Sequence, residues 1–218
     1  DRDIRIEPLS SSLEPITMDI PSDPSSASFF IVLTVLMKES QVTVRNMLLN
    51  PTRIGFMNIL NKIGIPATIS NQHHMNGELC GDVSVESSSV DGFEVSSYAI
   101  PSIIDEIPIL AVLAALGKGK TVFNGIEELK FKESNRVQAI IDNLVNFGIK
   151  AYEQDNSLIV EGGTPTQMAT IQSFDDHRIA MAFVVLSIAV FGDYKLDNKS
   201  CIDISLPGFF DTIKEMLS

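Results

Sequence analysis

Three long apolar runs, each preceded by an acidic residue, constrain the fold of this chain more than any other feature. The runs and their preceding acids are 27–37 after Asp23, 107–116 after Asp105, and 179–191 after Asp176. Each run is apolar on nearly every side, which is typical of a helix buried all round. Aspartate before a helix can accept hydrogen bonds from the unpaired N–H groups of its first turn. The pattern therefore predicts three buried helices.

A similar order of elements follows each apolar run. A short strand-like segment and an amphipathic helix come next, and in the first two copies two further strand-like segments follow. The first two amphipathic helices end in the parallel phrases Lys62-Ile-Gly-Ile65 and Asn146-Phe-Gly-Ile149. Such a repeat predicts three buried helices that meet in the middle of a mixed α/β (α+β) domain, with sheets and amphipathic helices outside them.

The third copy ends at Ser218 without the two strands that close the first two copies. We expect another segment to complete it, either residues 4–8 or a piece outside this chain. Residues 9–26 are rich in Ser and Pro and predict a linker. We assign 1–18 to a preceding region or linker and 19–218 to one domain, with repeats at about 19–98, 99–163 and 164–218. Because the chain begins with Asp1 rather than Met, we expect a processed product or an excised fragment, and we favour the fragment.

Charge and cysteine content argue against several classes of function. The chain has 218 residues and a formal net charge of −12 at pH 7, which disfavours nucleic acid as a partner because phosphate binding needs a basic face. Two cysteines are too few for a disulfide framework and suggest reduced thiols in a cytoplasmic protein. No export signal is visible, and polar residues bound all three apolar runs, so we expect no membrane partner.

Cationic and acidic side chains are mixed in a short segment before the middle amphipathic helix. Lys132, Glu133 and Arg136 lie at or near the helix start, and Ser134 or Asn135 can cap it. Arginine can hold a phosphate or carboxylate with two hydrogen bonds, and lysine adds a point charge. A carboxylate among these cations weakens anion binding, so it suggests a second task such as proton transfer. A solvated, salt-bridged helix start is the alternative interpretation.

The third buried helix begins with a similar charged segment, 175–178. A helix buried on all sides should not start with His177 and Arg178 unless its N-terminus faces a cleft. A capped helix with a surface histidine is the alternative. Asp105 can also be only a cap, but the repeat places it near Arg178. Three loops would then converge where a small anion could be held and turned over.

Other candidate sites are weaker. His73, His74 and Cys80 could be metal ligands, but no fourth ligand stands at a recognised spacing. Gly162 and Gly163 follow a strand without opening a helix, so they predict a turn rather than a phosphate-binding loop. We therefore expect no metal site.

Two segments of the chain resemble the signatures of one family. Lys132-Glu-Ser-Asn-Arg136 and Asp176-His-Arg-Ile-Ala-Met181 are similar to those of the 5-enolpyruvylshikimate-3-phosphate synthases, also called 3-phosphoshikimate 1-carboxyvinyltransferases. Further matching phrases, in family order, are Asp23-Pro-Ser-Ser-Ala27, Asn50-Pro-Thr-Arg53, Ile104-Asp-Glu-Ile-Pro-Ile-Leu-Ala111 and Ser205-Leu-Pro-Gly-Phe-Phe210. The resemblance extends over nearly the whole domain.

The resemblance implies one domain of the two-domain enolpyruvyl transferase fold, in which each domain has three βαβαββ units around buried parallel helices. It identifies this chain as the C-terminal half, inactive or nearly so alone. The missing N-terminal domain would supply most contacts to shikimate 3-phosphate, and the enzyme's extreme N-terminus, also missing here, would complete the third unit and add cationic contacts. No metal or organic cofactor is implied.

The resemblance also implies a reaction and roles for residues. The family transfers the enolpyruvyl group of phosphoenolpyruvate to the 5-hydroxyl of shikimate 3-phosphate and releases phosphate. Asp105 and Glu133 correspond to the acid/base pair. Arg136, His177 and Arg178 correspond to residues that bind phosphoenolpyruvate. Lys132 corresponds to a residue that contacts shikimate 3-phosphate or Glu133.

One departure and two alternatives accompany this interpretation. Some family members carry a Lys where this chain has Ile204, so another residue would make that phosphoenolpyruvate contact. A non-catalytic anion-binding module of the same fold is one alternative, although the acid/base pair argues against it. The related UDP-N-acetylglucosamine enolpyruvyl transferases are the other, and they match the quoted phrases less well.

Overall fold

Each of the three repeats forms one unit of the structure, a computed structural model that describes residues 3–9 and 11–218. The first unit contains α1 (Pro24–Leu36), β1 (Gln41–Leu48), α2 (Gly55–Lys62), β2 (Thr68–Met75) and β3 (Glu78–Glu86). The second contains β4 (Glu94–Val95), α3 (Ile107–Ala115), β5 (Gly119–Asn124), α4 (Arg136–Asn146), β6 (Lys150–Gln154) and β7 (Ser157–Gly162). The third contains β8 (Thr170–Ile171), α5 (His177–Phe191), β9 (Lys195–Leu196), α6 (Ser200–Asp203) and α7 (Phe209–Met216).

The apolar runs form the central helices α1, α3 and α5, as the sequence predicts. α3 packs against both α1 and α5, and all nine of its residues are buried. Because α3 has no face toward water, apolar side chains are favourable on every side of it. The amphipathic α2, α4 and α7 bury one side only, with Phe56, Leu144 and Phe209 among the residues that join the core.

The sheets of the first two units share a topology, of which the third unit has one part. The second unit has the order β4-β5-β7-β6, with β4 parallel to β5 and a β6–β7 hairpin. The first unit has the order β1-β3-β2, and Ser22 pairs in parallel with Met47 of β1, in the place that β4 takes beside β5. The third unit keeps only the parallel pair β8–β9 among the described residues. The predicted mixed α/β fold of βαβαββ units is therefore confirmed, with a third unit that stops after α7.

Two expectations about the ends of the domain need correction. The linker predicted over 9–26 ends earlier, because Ser22 already pairs with β1 and Pro24, whose fixed φ suits a first turn, begins α1. Residues 4–8 are exposed and form no strand, so they do not complete the third unit. The division into 1–18 and 19–218 stays a prediction.

The helix starts lie together at one end of the molecule, and two of the predicted caps are confirmed. Asp23 accepts a hydrogen bond from the N–H of Ser26, and Asp176 accepts one from the N–H of Arg178. The cap position of α3 is Glu106, whose side chain accepts no backbone N–H. The neighbouring Asp105 is thus not a cap, and its carboxylate is free for other contacts.

None of the helices within residues 3–9 and 11–218 combines the length and apolar character needed to cross a membrane.

Candidate active site

The guanidinium of Arg136 lies at the centre of a charged cluster where the starts of α3, α4 and α5 meet. Its Nε donates to Asp176 Oδ2 at 2.8 Å, its Nη1 to Asp105 Oδ1 at 3.0 Å, and its Nη2 to Glu133 Oε2 at 2.6 Å. The side chain is completely buried although it is charged. Three carboxylates from three separate segments therefore satisfy the donors of a single arginine.

Local structure explains how Arg136 reaches this position. Asn135 caps α4 by accepting from the N–H of Gln138, so Arg136 is the first residue of the helix. The next residue, Val137, is buried in the core and fixes the rotation of the first turn. The capping prediction for Asn135 is confirmed, while Ser134 instead donates to Asp176 Oδ2 at 3.1 Å.

Asp176 has two roles in the structure. Its Oδ1 caps α5, and its Oδ2 accepts from Arg136 and Ser134. The side chain is fully buried. A carboxylate in this environment needs a compensating cation, and Arg136 supplies it. The capping role was predictable from the sequence, but the ion pair with a residue 40 positions away was not.

The carboxylate of Asp105 lies between three cations and is partly exposed. Besides Arg136, it has Arg178 Nη2 at 3.5 Å and Lys132 Nζ at 3.7 Å. Burial by itself raises the pKa of Asp105, but Arg178, Arg136 and Lys132 outweigh that effect and lower the pKa below the usual 3.8. Asp105 is therefore ionised at neutral pH and can accept a proton or a hydrogen bond.

Glu133 presents its carboxylate at the surface of the cluster. Its side chain is 51% exposed, and it forms an ion pair with Arg136. A carboxylate held on one side by an arginine and open to solvent on the other is within reach of a bound molecule.

The cluster is electrically balanced without a ligand. Lys132, Arg136 and Arg178 supply the positive charges, and three carboxylates, Asp105, Glu133 and Asp176, oppose them. Since Arg136 is enclosed by carboxylates, it can hold an anion only if Glu133 or Asp105 moves away from it. The role of Arg136 in binding an anion stays a prediction.

His177 begins α5 beside the cluster and is half-buried. Burial lowers the pKa of His177 below the usual 6.5, and the charge of Arg178 lowers it further, against opposing effects of Asp176 and Glu133. We expect an NMR titration of the full-length protein to give a pKa for this ring below 6.5. Because the unfolded chain then binds more protons, the free energy of unfolding should fall as the pH drops through that value.

The substitution His177→Gln is the control for this titration. It should remove the ring signal and weaken the pH dependence of unfolding around 6.5. A pKa at or above 6.5 in the ligand-free protein would contradict the half-buried placement of His177 beside Arg178.

The structure brings the predicted site residues to one place. Five of them share ion pairs in the Arg136 cluster, namely Lys132, Glu133, Arg136, Asp105 and Arg178, and His177 adjoins it. Sequence reasoning did not select Glu106, Ser25 or Arg53 as site residues, although they lie in the matching phrases at 104–111, 23–27 and 50–53. In the structure they form hydrogen bonds next to the cluster. The signal that could have found Arg53 is the repeat, because Arg53 precedes α2 much as Arg136 begins α4.

The candidate metal ligands are not grouped in the same way. His73 on β2 pairs in register with Cys80 on β3, but His73 is exposed and Cys80 is buried. In the part of the chain that the structure describes, there is no group of three or more residues that could hold a metal ion.

Comparison with protein families gives one match that covers almost the entire chain. The family model described as EPSP synthase (3-phosphoshikimate 1-carboxyvinyltransferase) matches residues 1–213. The 3-phosphoshikimate 1-carboxyvinyltransferase of Caldicellulosiruptor saccharolyticus is 43% identical over 210 residues, which are 96% of this chain and 48% of that protein. That of Desulforamulus reducens is 38% identical over 214 residues, 98% of this chain and 50% of that protein. The chain thus spans about half the length of the curated relatives it matches.

Solved structures agree with this match. EPSP synthase from Acinetobacter baumannii superimposes with a TM-score of 0.86 at 31% identity, over 91% of this chain and 46% of that one. The enolpyruvyl transferase NikO from Streptomyces tendae gives a TM-score of 0.64 at 16% identity, over 91% of this chain and 43% of that one, and this shows a shared fold alone. Together with the match over residues 1–213, these comparisons show that the chain belongs to the EPSP synthase (3-phosphoshikimate 1-carboxyvinyltransferase) family.

Proposed function

We propose that this chain is the C-terminal half of an enzyme that transfers the enolpyruvyl group of phosphoenolpyruvate to the 5-hydroxyl of shikimate 3-phosphate. The observation that supports this most directly is the Arg136 cluster. Two segments that resemble the family's signatures, 132–136 and 176–181, are joined there by the bond from Arg136 to Asp176. Membership of the family favours this reaction over an anion-binding module and over transfer to a UDP-sugar.

The proposed chemistry needs cations for two phosphates and a carboxylate, together with groups that move protons. We assign the phosphoenolpyruvate contacts to Arg136, His177 and Arg178. Lys132 would contact either shikimate 3-phosphate or Glu133. Addition of the 5-hydroxyl to C2 of phosphoenolpyruvate gives a tetrahedral intermediate, while the methylene carbon gains a proton and the hydroxyl loses one. Elimination of phosphate, with loss of a proton from the new methyl group, then gives the product.

Asp105 and Glu133 are the proposed acid/base pair for these proton transfers. Asp105 is ionised and close to three cations, and Glu133 is the more exposed of the two. Both already contact Arg136, so substrate binding and proton transfer are coupled through one guanidinium. When an anionic substrate takes up donors of Arg136, the carboxylate that it displaces becomes free to move a proton.

The site in this chain is one-sided, and we propose that the other half of the enzyme completes it. Large apolar side chains are exposed in the segments that precede α3 and α4, among them Tyr98 and Phe131. The partner half would cover this face and exclude water from the reacting groups. We place the enzyme in the cytoplasm, in keeping with the free thiols of Cys80 and Cys201.

Phosphate release tests this function. We expect the full-length protein to release phosphate when both phosphoenolpyruvate and shikimate 3-phosphate are present, and this chain alone to release almost none. The reason is that half of the substrate contacts and the exclusion of water are missing from the isolated chain. The assay measures inorganic phosphate against time with each substrate omitted in turn.

A mixture of the two halves extends the assay. Release restored by mixing would support the division of labour between the halves. No release from folded full-length protein would contradict the proposed reaction, and release with UDP-N-acetylglucosamine in place of shikimate 3-phosphate would favour the related transferase.

A further inference from the structure

A second network of hydrogen bonds lies beside the Arg136 cluster and joins the starts of α1 and α3. Arg53 Nη2 donates to Asp23 Oδ1 and to Ser25 Oγ, both at 2.9 Å. The hydroxyl of Ser25 in turn donates to Glu106 Oε1. Ser25, Arg53 and Glu106 line a cleft of about 130 Å³ that also borders Asp105. The network thus ends next to the proposed acid/base pair.

The burial of Glu106 is not explained by helix capping. Only 5% of the residue is exposed, and its side chain accepts no backbone N–H of α3. Burial raises the pKa of Glu106 above the usual 4.5 and the nearby charge of Asp105 raises it further, against the hydrogen bond from Ser25 and the charges of Arg178 and Arg53. A buried carboxylate with one neutral donor is unfavourable for folding. Its presence therefore suggests a task other than stability.

The repeat relates this network to the Arg136 cluster. Arg136 stands at the start of α4 and links Asp105 of its own unit with Asp176, the cap of the next buried helix. Arg53 stands before α2 and links Asp23 of its own unit, through Ser25, with the start of the next buried helix, α3. Each arginine therefore ties two neighbouring units together at the same end of the molecule.

The two networks meet at the neighbouring residues Asp105 and Glu106. Asp105 points to Arg136 and Arg178, and its neighbour Glu106 points to Ser25. The N–H of Glu106 donates to the carbonyl of Ile103 at 2.9 Å. The segment before α3 is thus held by two carboxylates that extend in different directions.

We propose that Glu106 is a positioning residue, which holds Asp105 between Arg136 and Arg178 through its link to Ser25 and Arg53. This inference rests on the proposed function, because it assigns a purpose to the position of Asp105. Without the link, the segment before α3 can rotate, and the Asp105 carboxylate leaves the place from which it would move a proton. A displacement of about 1 Å can lower turnover about 100-fold.

The test compares two substitutions in the full-length protein. Glu106→Leu keeps the approximate shape but removes the acceptor, so the buried hydroxyl of Ser25 still accepts from Arg53 but has lost the group to which it donates. Leaving one buried donor unpaired destabilises a protein. We therefore expect a lower melting temperature and, at temperatures where the variant is still fully folded, a fall in kcat of about 100-fold. Glu106→Gln retains an oxygen that can accept from Ser25, and it should keep kcat close to that of the wild type.

A second pair of variants covers the case in which Glu106→Leu does not fold. Ser25→Ala cuts the same link from the other side and should also lower kcat. Ser187→Ala, a buried serine on α5 that donates to the carbonyl of Asp193 at 2.7 Å, is the matched control and should not. Equal kcat for the wild type, Glu106→Leu and Ser25→Ala would overturn the inference while leaving the proposed function intact.

A crystal structure of the full-length Glu106→Leu variant gives a readout that does not depend on activity. We expect the bond between Asp105 Oδ1 and Arg136 Nη1, 3.0 Å in the wild type, to be lost. If it stays at that length, Glu106 does not position Asp105. If the wild type itself releases no phosphate, the proposed function fails, and this distance alone decides whether Glu106 positions Asp105.

Discussion

Replacing Glu133 with Gln in the full-length protein is expected to lower kcat about 100-fold or more, as for the loss of a general acid or base. The substitution keeps the size of the side chain and an oxygen that can accept from Arg136. It removes the group that can bind and release a proton. Because Glu133 is half exposed, its ion pair with Arg136 contributes little to folding, and the melting temperature should change little. Turnover is measured as phosphate release at saturating concentrations of both substrates.

The matched control is Glu161→Gln. Glu161 forms an ion pair with Lys150 at 2.7 Å on the outer sheet, away from the helix starts. Its replacement should leave kcat unchanged. If Glu133→Gln keeps turnover within a factor of about three of the wild type, Glu133 is not the acid or base, and Asp105 would be the remaining candidate.

Replacing Arg136 with Met is expected to destabilise the full-length protein by about 3–5 kcal/mol. The loss has a clear physical origin, since Asp176 is fully buried and would lose the cation that compensates its carboxylate. For a domain of this size, the melting temperature should fall on the order of 10 °C. Urea unfolding at pH 7 measures the change directly. We also expect phosphate release to be lost.

Two further variants separate charge pairing from packing. Lys132→Met removes a cation that is 3.7 Å from Asp105 and partly exposed, so its cost should stay below about 1 kcal/mol. The double variant Arg136→Met/Asp176→Asn should recover part of the stability, because it leaves no unpaired buried charge. A cost for Arg136→Met as small as that for Lys132→Met would show that the buried pair is not important for folding.

The elements of the fold were predictable because each one is specified by neighbouring residues. The run from 107 to 116 is apolar on every side, and it becomes the fully buried α3. Asn135 next to an amphipathic pattern marks the start of α4. Two predictions about local structure were wrong because contacts with other parts of the chain replaced the local ones. Asp105 looks like a cap, yet nearby cations engage its carboxylate, and the predicted linker ends before 26 because Ser22 finds a strand to pair with.

The candidate site was only partly predictable. The sequence indicates that Lys132, Glu133 and Arg136 are close together and that Arg178 belongs to the same cleft. It does not indicate that Arg136 is completely buried or that its charge is already balanced by carboxylates. It also does not indicate the link from Ser25 to Glu106, since these residues are 81 positions apart.

The sequence by itself determined the family, the three repeated units and the kinds of side chain at their helix starts, because apolar periodicity and short motifs are local properties. Only the tertiary structure decided which charges pair. Pairing depends on distances between loops from different units and on how much water each loop excludes, and both arise when α1, α3 and α5 pack together. Because Arg136 and Asp176 are buried, each needs the other's charge, and because Glu106 is buried, its carboxylate is unfavourable for folding. Neither effect can be seen in the order of residues along the chain.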